Sequence, residues 1–241
     1  MNGPLAFLPI QAAGIYDTIT VGEKLSDYVV SSYTITLATL LKRPRPTDQT
    51  DFQILTVSQP SLPGTEDEVK RIERLAGDIF VVSLSRENAT AEYVLQGMSE
   101  SNWIHLACHG KQNKDSSMES GFLLHDRMLE LSDIIKERLP KAEFAFLSAC
   151  QTATGDEKVA DESVHLAAGM LFTGCRSVIA TMWSIKDDDA PQVAEDVYSR
   201  MLKGGQPNSK EAARALHEAI KRLRDSGAGF LSWVPFIHIG R

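Results

Sequence analysis

Two segments of this chain combine residue types that can carry out covalent chemistry. His109 is followed directly by Gly110, and Cys150 comes shortly after the apolar run Phe144–Leu147. A thiol becomes a strong nucleophile when a neighbouring base takes its proton, and histidine is the usual base because it titrates near neutral pH. These residues therefore predict a Cys–His pair able to attack a carbonyl carbon.

The same segments also offer donors for the negative charge that develops on an attacked carbonyl oxygen. Backbone N–H groups serve this purpose, and a glycine lets the backbone approach closely. We predict the amides of Gly110 and Cys150 as the two oxyanion donors. On residue type and spacing alone the signal is modest, because a lone buried cysteine or histidine is more often structural.

The elements that must position these residues alternate along the chain. Apolar runs typical of strands lie at 52–57, 79–84, 103–108, 122–124, 144–147, 177–183 and 230–239. Helical patterns lie between most of them, and two helices come before the last run. Thr65 and Glu68 have the spacing of a capping box at the first helix. The alternation predicts an α/β domain with a mostly parallel sheet flanked by helices. Sites in such sheets form beyond the carboxyl ends of strands, so His109 and Cys150 meet if their strands are parallel neighbours.

Other residue patterns exclude competing chemistries. Cys108 alternates with His109 along a strand and Cys175 follows an apolar helix, so both are predicted to be core residues. No closely spaced pair of metal ligands is followed by a second pair, and we predict no metal and no cofactor. The sequence has no phosphate-binding glycine motif and no G-x-S-x-G elbow around Ser148, which disfavours nucleotide binding and a serine hydrolase.

Composition narrows the class of protein and its surroundings. The 241 residues carry a formal net charge of −7, which argues against nucleic acid as a partner. Three cysteines do not form a secreted disulfide framework. No apolar run is long enough to cross a membrane, and the N-terminus lacks the pattern of a signal peptide. We therefore expect a cytoplasmic protein that binds neither membrane nor nucleic acid.

Acidic residues gather in two segments that follow strands. Asp156 comes after Cys150, and Asp187 and Asp188 come after the run that ends at Trp183. One interpretation is an acidic substrate pocket for an Arg or Lys side chain. The alternative is that these carboxylates favour the N-terminal ends of the helices that follow. Both interpretations stay open at this point.

Longer segments resemble the CHAT domain family, which is related to caspases and separases. The resemblance covers nearly the whole chain in the family's order and rests on these segments: HLACHG at 105–110, LSACQT at 147–152, GCRSVIATMW at 174–183, GPLAFLP at 3–9, LPGT at 62–65, the acidic pair at 187–188 and WVPF at 233–236. It implies one CHAT-type domain over residues 1–241, with a caspase-like three-layer sandwich of a mostly parallel sheet between helices.

The resemblance also implies a function. His109 stands where the family has its catalytic base and Cys150 where it has its nucleophile, so a cysteine endopeptidase that cleaves a specific protein substrate is expected, as a regulated signalling or defence protease. Family members often carry TPR repeats or another sensor region, which is a possible partner in cis or in trans. The strand that usually precedes the Gly-Pro-Leu loop is expected to be missing.

Two alternatives belong to other functional classes. The first is a catalytically silent scaffold or interaction module that retains the fold; the presence of both dyad residues weighs against it. The second is a hydrolase or transferase that acts on something other than a peptide, for which the sequence offers no phosphate cradle and no cofactor motif.

Overall fold

The structure, a computed structural model, describes residues 8–17, 20–36, 51–111, 113, 116–137, 139–148, 162–183, 185 and 189–240. Its strands, numbered in chain order, are β1 (Gln53–Ser58), β2 (Phe80–Ser85), β3 (Trp103–Ala107), β4 (Gly110–Lys111), β5 (Gly121–Leu123), β6 (Met128–Glu130), β7 (Phe144–Leu147), β8 (Ser177–Thr181) and β9 (Phe236–Gly240). Its α-helices are α1 (Thr65–Ala76), α2 (Ala91–Glu100), α3 (Leu131–Lys136), α4 (Glu162–Thr173), α5 (Asp189–Met201), α6 (Ala212–Asp225) and α7 (Phe230–Trp233).

Six of these strands form one sheet in the order β2-β1-β3-β7-β8-β9. Its neighbours are parallel except for β8 and β9, which are antiparallel. The strands β3, β7 and β8 are buried along their whole length. Strands buried on both faces have continuous apolar sequences, which is why these runs do not alternate with polar residues. The predicted mostly parallel α/β sheet is confirmed.

Alternate side chains of each strand pack on opposite faces of the sheet and bring helices to both. On one face, Ile104 and Leu106 lie in an apolar cluster with α2, α3 and α4. On the other face, Trp103, Phe144 and Phe146 pack with α1, α5 and α6. Burying each side chain of this size contributes roughly 1.5–3 kcal/mol, so the helical layers hold the strand ends firmly.

A second sheet, the antiparallel β4-β5-β6, begins just beyond β3. Gly110 opens β4 and pairs with Phe122 in β5. A Cβ atom on Gly121 would lie 2.1 Å from the carbonyl oxygen of Leu129, so only glycine lets β5 approach β6 this closely. The small sheet therefore gives the residue that follows His109 a defined support.

The β9 edge of the large sheet is joined to the N-terminal part of the chain through a buried histidine. Tyr33 forms a parallel bridge with Ile239 beside β9. The ring of His238 lies between two serine hydroxyls, with Nδ1 2.7 Å from Ser32 Oγ and Nε2 2.7 Å from Ser177 Oγ. Burial lowers the pKa of His238 from 6.5 to about 4, so the ring is neutral near pH 7.

This buried histidine makes stability depend on pH. The folded-state pKa of His238 lies below its unfolded value, so the unfolded chain takes up the proton first. The contribution of the neutral His238 ring to the free energy of unfolding is complete above pH 6.5. It falls as the pH decreases, and about 3 kcal/mol has been lost when the pH reaches about 4. Urea unfolding of wild type and His238→Asn across this range should show a stability difference that narrows with acid. A difference that stays constant with pH would contradict the assignment.

One local prediction at α1 is wrong. The helix begins at Thr65 itself, with Gly64 at its N-cap in a left-handed conformation (φ 81°), so Thr65 and Glu68 do not form a capping box. The hydroxyl of Thr65 donates instead to the carbonyl oxygens of Gln59 and Leu62, at 2.9 and 3.0 Å. The physical reason is burial: both residues face the protein interior, where their polar atoms bind to other elements.

The run 230–239, predicted as a last strand, divides into α7 and β9. Phe230 and Trp233 pack their rings against Tyr16, which favours a helical turn over an extended chain there. Only the part from Phe236 onwards joins the sheet. The GPLAFLP segment up to residue 7 lies outside the described residues.

Candidate active site

The parallel pairing of β3 with β7 aligns the two strands that lead to His109 and Cys150. The last pair in the register is Leu106 with Leu147, and each candidate residue stands three positions further along the chain. Neighbouring parallel strands end at the same edge of a sheet, so the adjacency that the sequence argument required is confirmed. Cys150 itself lies outside the described residues, and its role remains a prediction.

His109 is held by its backbone from two directions. Its N–H donates to Gln59 Oε1 at 3.0 Å, and its carbonyl oxygen accepts from the N–H of Leu123 at 2.8 Å. The residue is half-buried. Its Nδ1 is shielded from solvent and has no hydrogen-bond partner among the described residues. The two histidines differ in this respect. Both ring nitrogens of His238 contact a serine hydroxyl, whereas Nδ1 of His109 makes no hydrogen bond within the described part of the chain.

The amide of Gly110 faces away from the small sheet. Gly110 pairs with Phe122, and the hydrogen bond from Leu123 N–H to the carbonyl oxygen of His109 makes this a non-hydrogen-bonded pair of the antiparallel ladder. In such a pair both backbone amides point outwards. The N–H of Gly110 is consequently not used by β5, as an oxyanion donor requires, and its assignment to that role stays a prediction.

The two other cysteines are buried in the core, as predicted. Cys108 is 1% exposed and Cys175 is 4% exposed. Burial raises the pKa of each thiol to about 12. Near pH 8 only about one in 10⁴ of such thiols is ionised, so neither is suited to act as a nucleophile.

The carboxylates predicted to line a substrate pocket, Asp156, Asp187 and Asp188, lie outside the described residues. Asp187 and Asp188 follow β8 in the sequence, and the position of β8 is described: it is the parallel neighbour of β7. The chain after β8 therefore leaves the sheet beside the chain that leads to Cys150. Asp189 is the first residue of α5, where a negative charge favours the helix dipole.

A group of buried polar residues near these strand ends was not predicted from the sequence. Glu68 is 1% exposed, and its carboxylate lies between α1 and the sheet, beside His105 and Ser148. The signal was present in the helical spacing, since Glu68 stands on the same face of α1 as the buried residues Ile72 and Ala76. The capping-box spacing of the same residue gave it a different and wrong interpretation.

In the described ranges, no three side chains of His, Cys, Asp or Glu come together in a way that would hold a metal ion. None of the described helices has both the length and the apolar composition for a membrane crossing.

The chain matches a known domain family and is similar to several solved structures. A family model described as "CHAT domain" matches residues 1–241. No curated protein matches the sequence. Two similar solved structures are those of the Arg-specific cysteine proteinase gingipain R (12% identity, TM-score 0.54) and of a Saccharomyces cerevisiae separase–securin complex (18% identity, TM-score 0.52). A complex of the pro- and mature domains of the Porphyromonas gingivalis gingipain is also similar (13% identity, TM-score 0.53).

The structural matches cover most of this chain but only part of each similar protein. The gingipain R match covers 81% of this chain and 48% of the other, and the separase match covers 80% of this chain and 12% of the other. This chain thus spans about half of the gingipain chain and a small part of the separase chain. At such low identity the likeness shows the fold alone, and that fold is the caspase-like α/β sandwich that was predicted.

Proposed function

Because the chain belongs to the CHAT-domain family, we propose that it is a cysteine endopeptidase that uses Cys150 and His109 as a dyad. The observation that carries the proposal is the parallel pairing of β3 with β7, which brings the ends of the two relevant strands together. The orientation of the Gly110 amide and the unengaged Nδ1 of His109 are compatible with it.

In the proposed reaction the His109 ring takes the proton of the Cys150 thiol as the sulfur attacks the carbonyl carbon of a peptide bond. The carbonyl π electrons move to the oxygen, which accepts hydrogen bonds from the N–H groups of Gly110 and Cys150. Collapse of this intermediate breaks the C–N bond, and His109 returns the proton to the departing amine. Water then hydrolyses the thioester with His109 as base, which releases the acid and the free thiol.

A dyad is sufficient for this chemistry as proposed, without metal or cofactor. The ring of His109 is positioned through its backbone, which Gln59 and Leu123 hold on either side. The proposed substrate is a specific protein, and a TPR or other sensor region, in cis or in trans, is the proposed regulatory partner. The scaffold alternative shares the fold and differs only in having no turnover.

A peptide-library experiment tests the proposal. The protein is incubated with a mixture of synthetic peptides of varied sequence, and new termini are identified by mass spectrometry. We expect cleavage by wild type and none by Cys150→Ala, whereas Cys175→Ala, which removes a buried thiol in the core, should cleave at the same bonds as wild type. Equal cleavage by wild type and Cys150→Ala would contradict the proposal. Absence of cleavage in both would favour the scaffold.

A further inference from the structure

Four polar residues meet between α1, α5 and the sheet, directly beneath the strand ends of the candidate site. We call Glu68, His105, Ser148 and Tyr198 the Glu68 cluster. Their exposed fractions are 1%, 0%, 4% and 0%, so the cluster is isolated from solvent. Carboxylates are almost never buried this completely unless they have partners, because removing the charge from water is costly. The partners of Glu68 therefore show which contacts offset that cost.

The carboxylate of Glu68 contacts the two central strands separately. Its Oε2 accepts a hydrogen bond from Ser148 Oγ at 3.0 Å. Its Oε1 lies 3.1 Å from His105 Nε2, although the two groups are not aligned as a hydrogen bond. Ser148 follows β7 and His105 lies within β3. One carboxylate thus joins the two strands that lead to Cys150 and His109.

The fourth member, Tyr198, contacts the other ring nitrogen of the histidine. The hydroxyl of Tyr198 lies 3.3 Å from His105 Nδ1. Burial, together with the nearby charge of Glu68, raises the pKa of Tyr198 well above its ordinary value, so the hydroxyl keeps its proton and can donate it. When this hydroxyl donates to Nδ1, the proton of a neutral imidazole lies on Nε2, on the side of the Glu68 carboxylate.

The same turn of α1 also reaches His109 by a second route. Thr65, one helical turn before Glu68, donates through its hydroxyl to the carbonyl oxygen of Gln59 at 2.9 Å. The side chain of Gln59 accepts the N–H of His109 at 3.0 Å, and the backbone N–H of Gln59 donates to Ala107 at the end of β3, also at 3.0 Å. The start of α1 is therefore bonded to the segments on both sides of the candidate site.

These contacts assign Glu68 a function beyond stability. We propose that Glu68 is a positioning residue: its carboxylate fixes the end of β7 relative to the end of β3, and so sets the distance between the Cys150 thiol and the His109 ring. The role rests on the proposed peptidase function. Proton transfer within a dyad is sensitive to such distances, since a misplacement of 1 Å can cost about 10²-fold in rate.

The test compares two matched serine substitutions. Ser148→Ala removes the hydroxyl that binds Glu68 and leaves the rest of the strand end unchanged. Ser177→Ala removes an equally buried hydroxyl, at the opposite end of the sheet, where it bonds to His238. We expect Ser148→Ala to lower kcat by about 10- to 100-fold with KM within about twofold. Ser177→Ala should leave both constants within about twofold of wild type, and Ser148→Thr, which restores the hydroxyl, should recover most of the rate.

Hydrogen exchange gives a readout that does not depend on turnover. In Ser148→Ala and in Glu68→Gln, amide exchange should rise in the peptides that contain residues 105–110 and 145–148, and stay unchanged around β9. Unchanged exchange at both strand ends would overturn the positioning role. A loss of kcat in Ser177→Ala as large as that in Ser148→Ala would do the same. If wild type cleaves no peptide, the peptidase proposal fails on its own, while the exchange comparison still tests the tie between the strands.

Discussion

Replacement of His109 by alanine is expected to slow peptide hydrolysis by about 10²- to 10⁴-fold in kcat/KM, the usual contribution of a positioned acid–base group. The fold should be retained, because the hydrogen bonds of this residue to Gln59 and Leu123 use its backbone N–H and C=O. Only the ring is removed, and in the described structure its Nδ1 has no partner to lose. The measurement is the initial rate on a peptide that wild type cleaves, together with the melting temperature.

The matched control for this substitution is His125→Ala. The side chain of His125 is exposed, and its backbone N–H donates to the carbonyl oxygen of Ala89, so removal of the ring should leave the rate within about twofold of wild type. Full activity of the His109→Ala variant would show that another group accepts the thiol proton, or that the chemistry does not need a base.

The second large effect concerns the residue before the cleaved bond. We propose that wild type prefers Arg or Lys there, and that one carboxylate among Asp187, Asp188 and Asp156 binds it. Such a contact is buried, charge-assisted and bidentate. Loss of one partner typically reduces the binding free energy by about 2–5 kcal/mol, which corresponds to about 30- to 4,000-fold in selectivity. Support comes from the strand order, because β8 adjoins β7 and the chain after each strand leaves the same edge of the sheet.

A library of peptides that differ only at this position tests the proposal with the variants Asp187→Asn, Asp188→Asn and Asp156→Asn. We expect one of the three to lose the basic preference while its rate on a neutral peptide stays close to that of wild type. Asp126→Asn is a suitable control, since this carboxylate binds the N–H of Ala91 at the start of α2. An apolar preference in wild type would rule out the acidic pocket. A basic preference that survives all three substitutions would remove these candidates.

The strands were predictable because their signal is local. Runs such as Phe144–Leu147 are apolar throughout, and a strand buried on both faces needs no other pattern. The neighbours of each strand were not predictable from such runs, since any two of them could pair. From the sequence, His109 and Cys150 could be expected to meet only if β3 and β7 were neighbours. The structure shows that these two strands pair in parallel.

At Glu68, by contrast, a local sequence pattern gave a wrong prediction, the capping box with Thr65. Its spacing from Thr65 fits a capping box, while its helical spacing from Ile72 and Ala76 indicates burial, so the local sequence supports both interpretations. The partners of Glu68 are 37 and 80 positions away, at His105 and Ser148, and only the packing of α1 on the sheet brings them together. Polar contacts between distant elements are set by tertiary structure, so their spacing along the chain carries no signal.

The most direct test of the central claim is covalent capture of the nucleophile. A peptidyl ketone electrophile with Arg at its recognition position is added to wild type and to His109→Ala, and the adduct is mapped by mass spectrometry. We predict one adduct, on Cys150, formed at least about 10²-fold more slowly in His109→Ala. Cys108 and Cys175 should stay unmodified, because burial raises the pKa of both thiols to about 12. An adduct on either buried cysteine with Cys150 unmodified, or equal rates in the two proteins, would contradict the account.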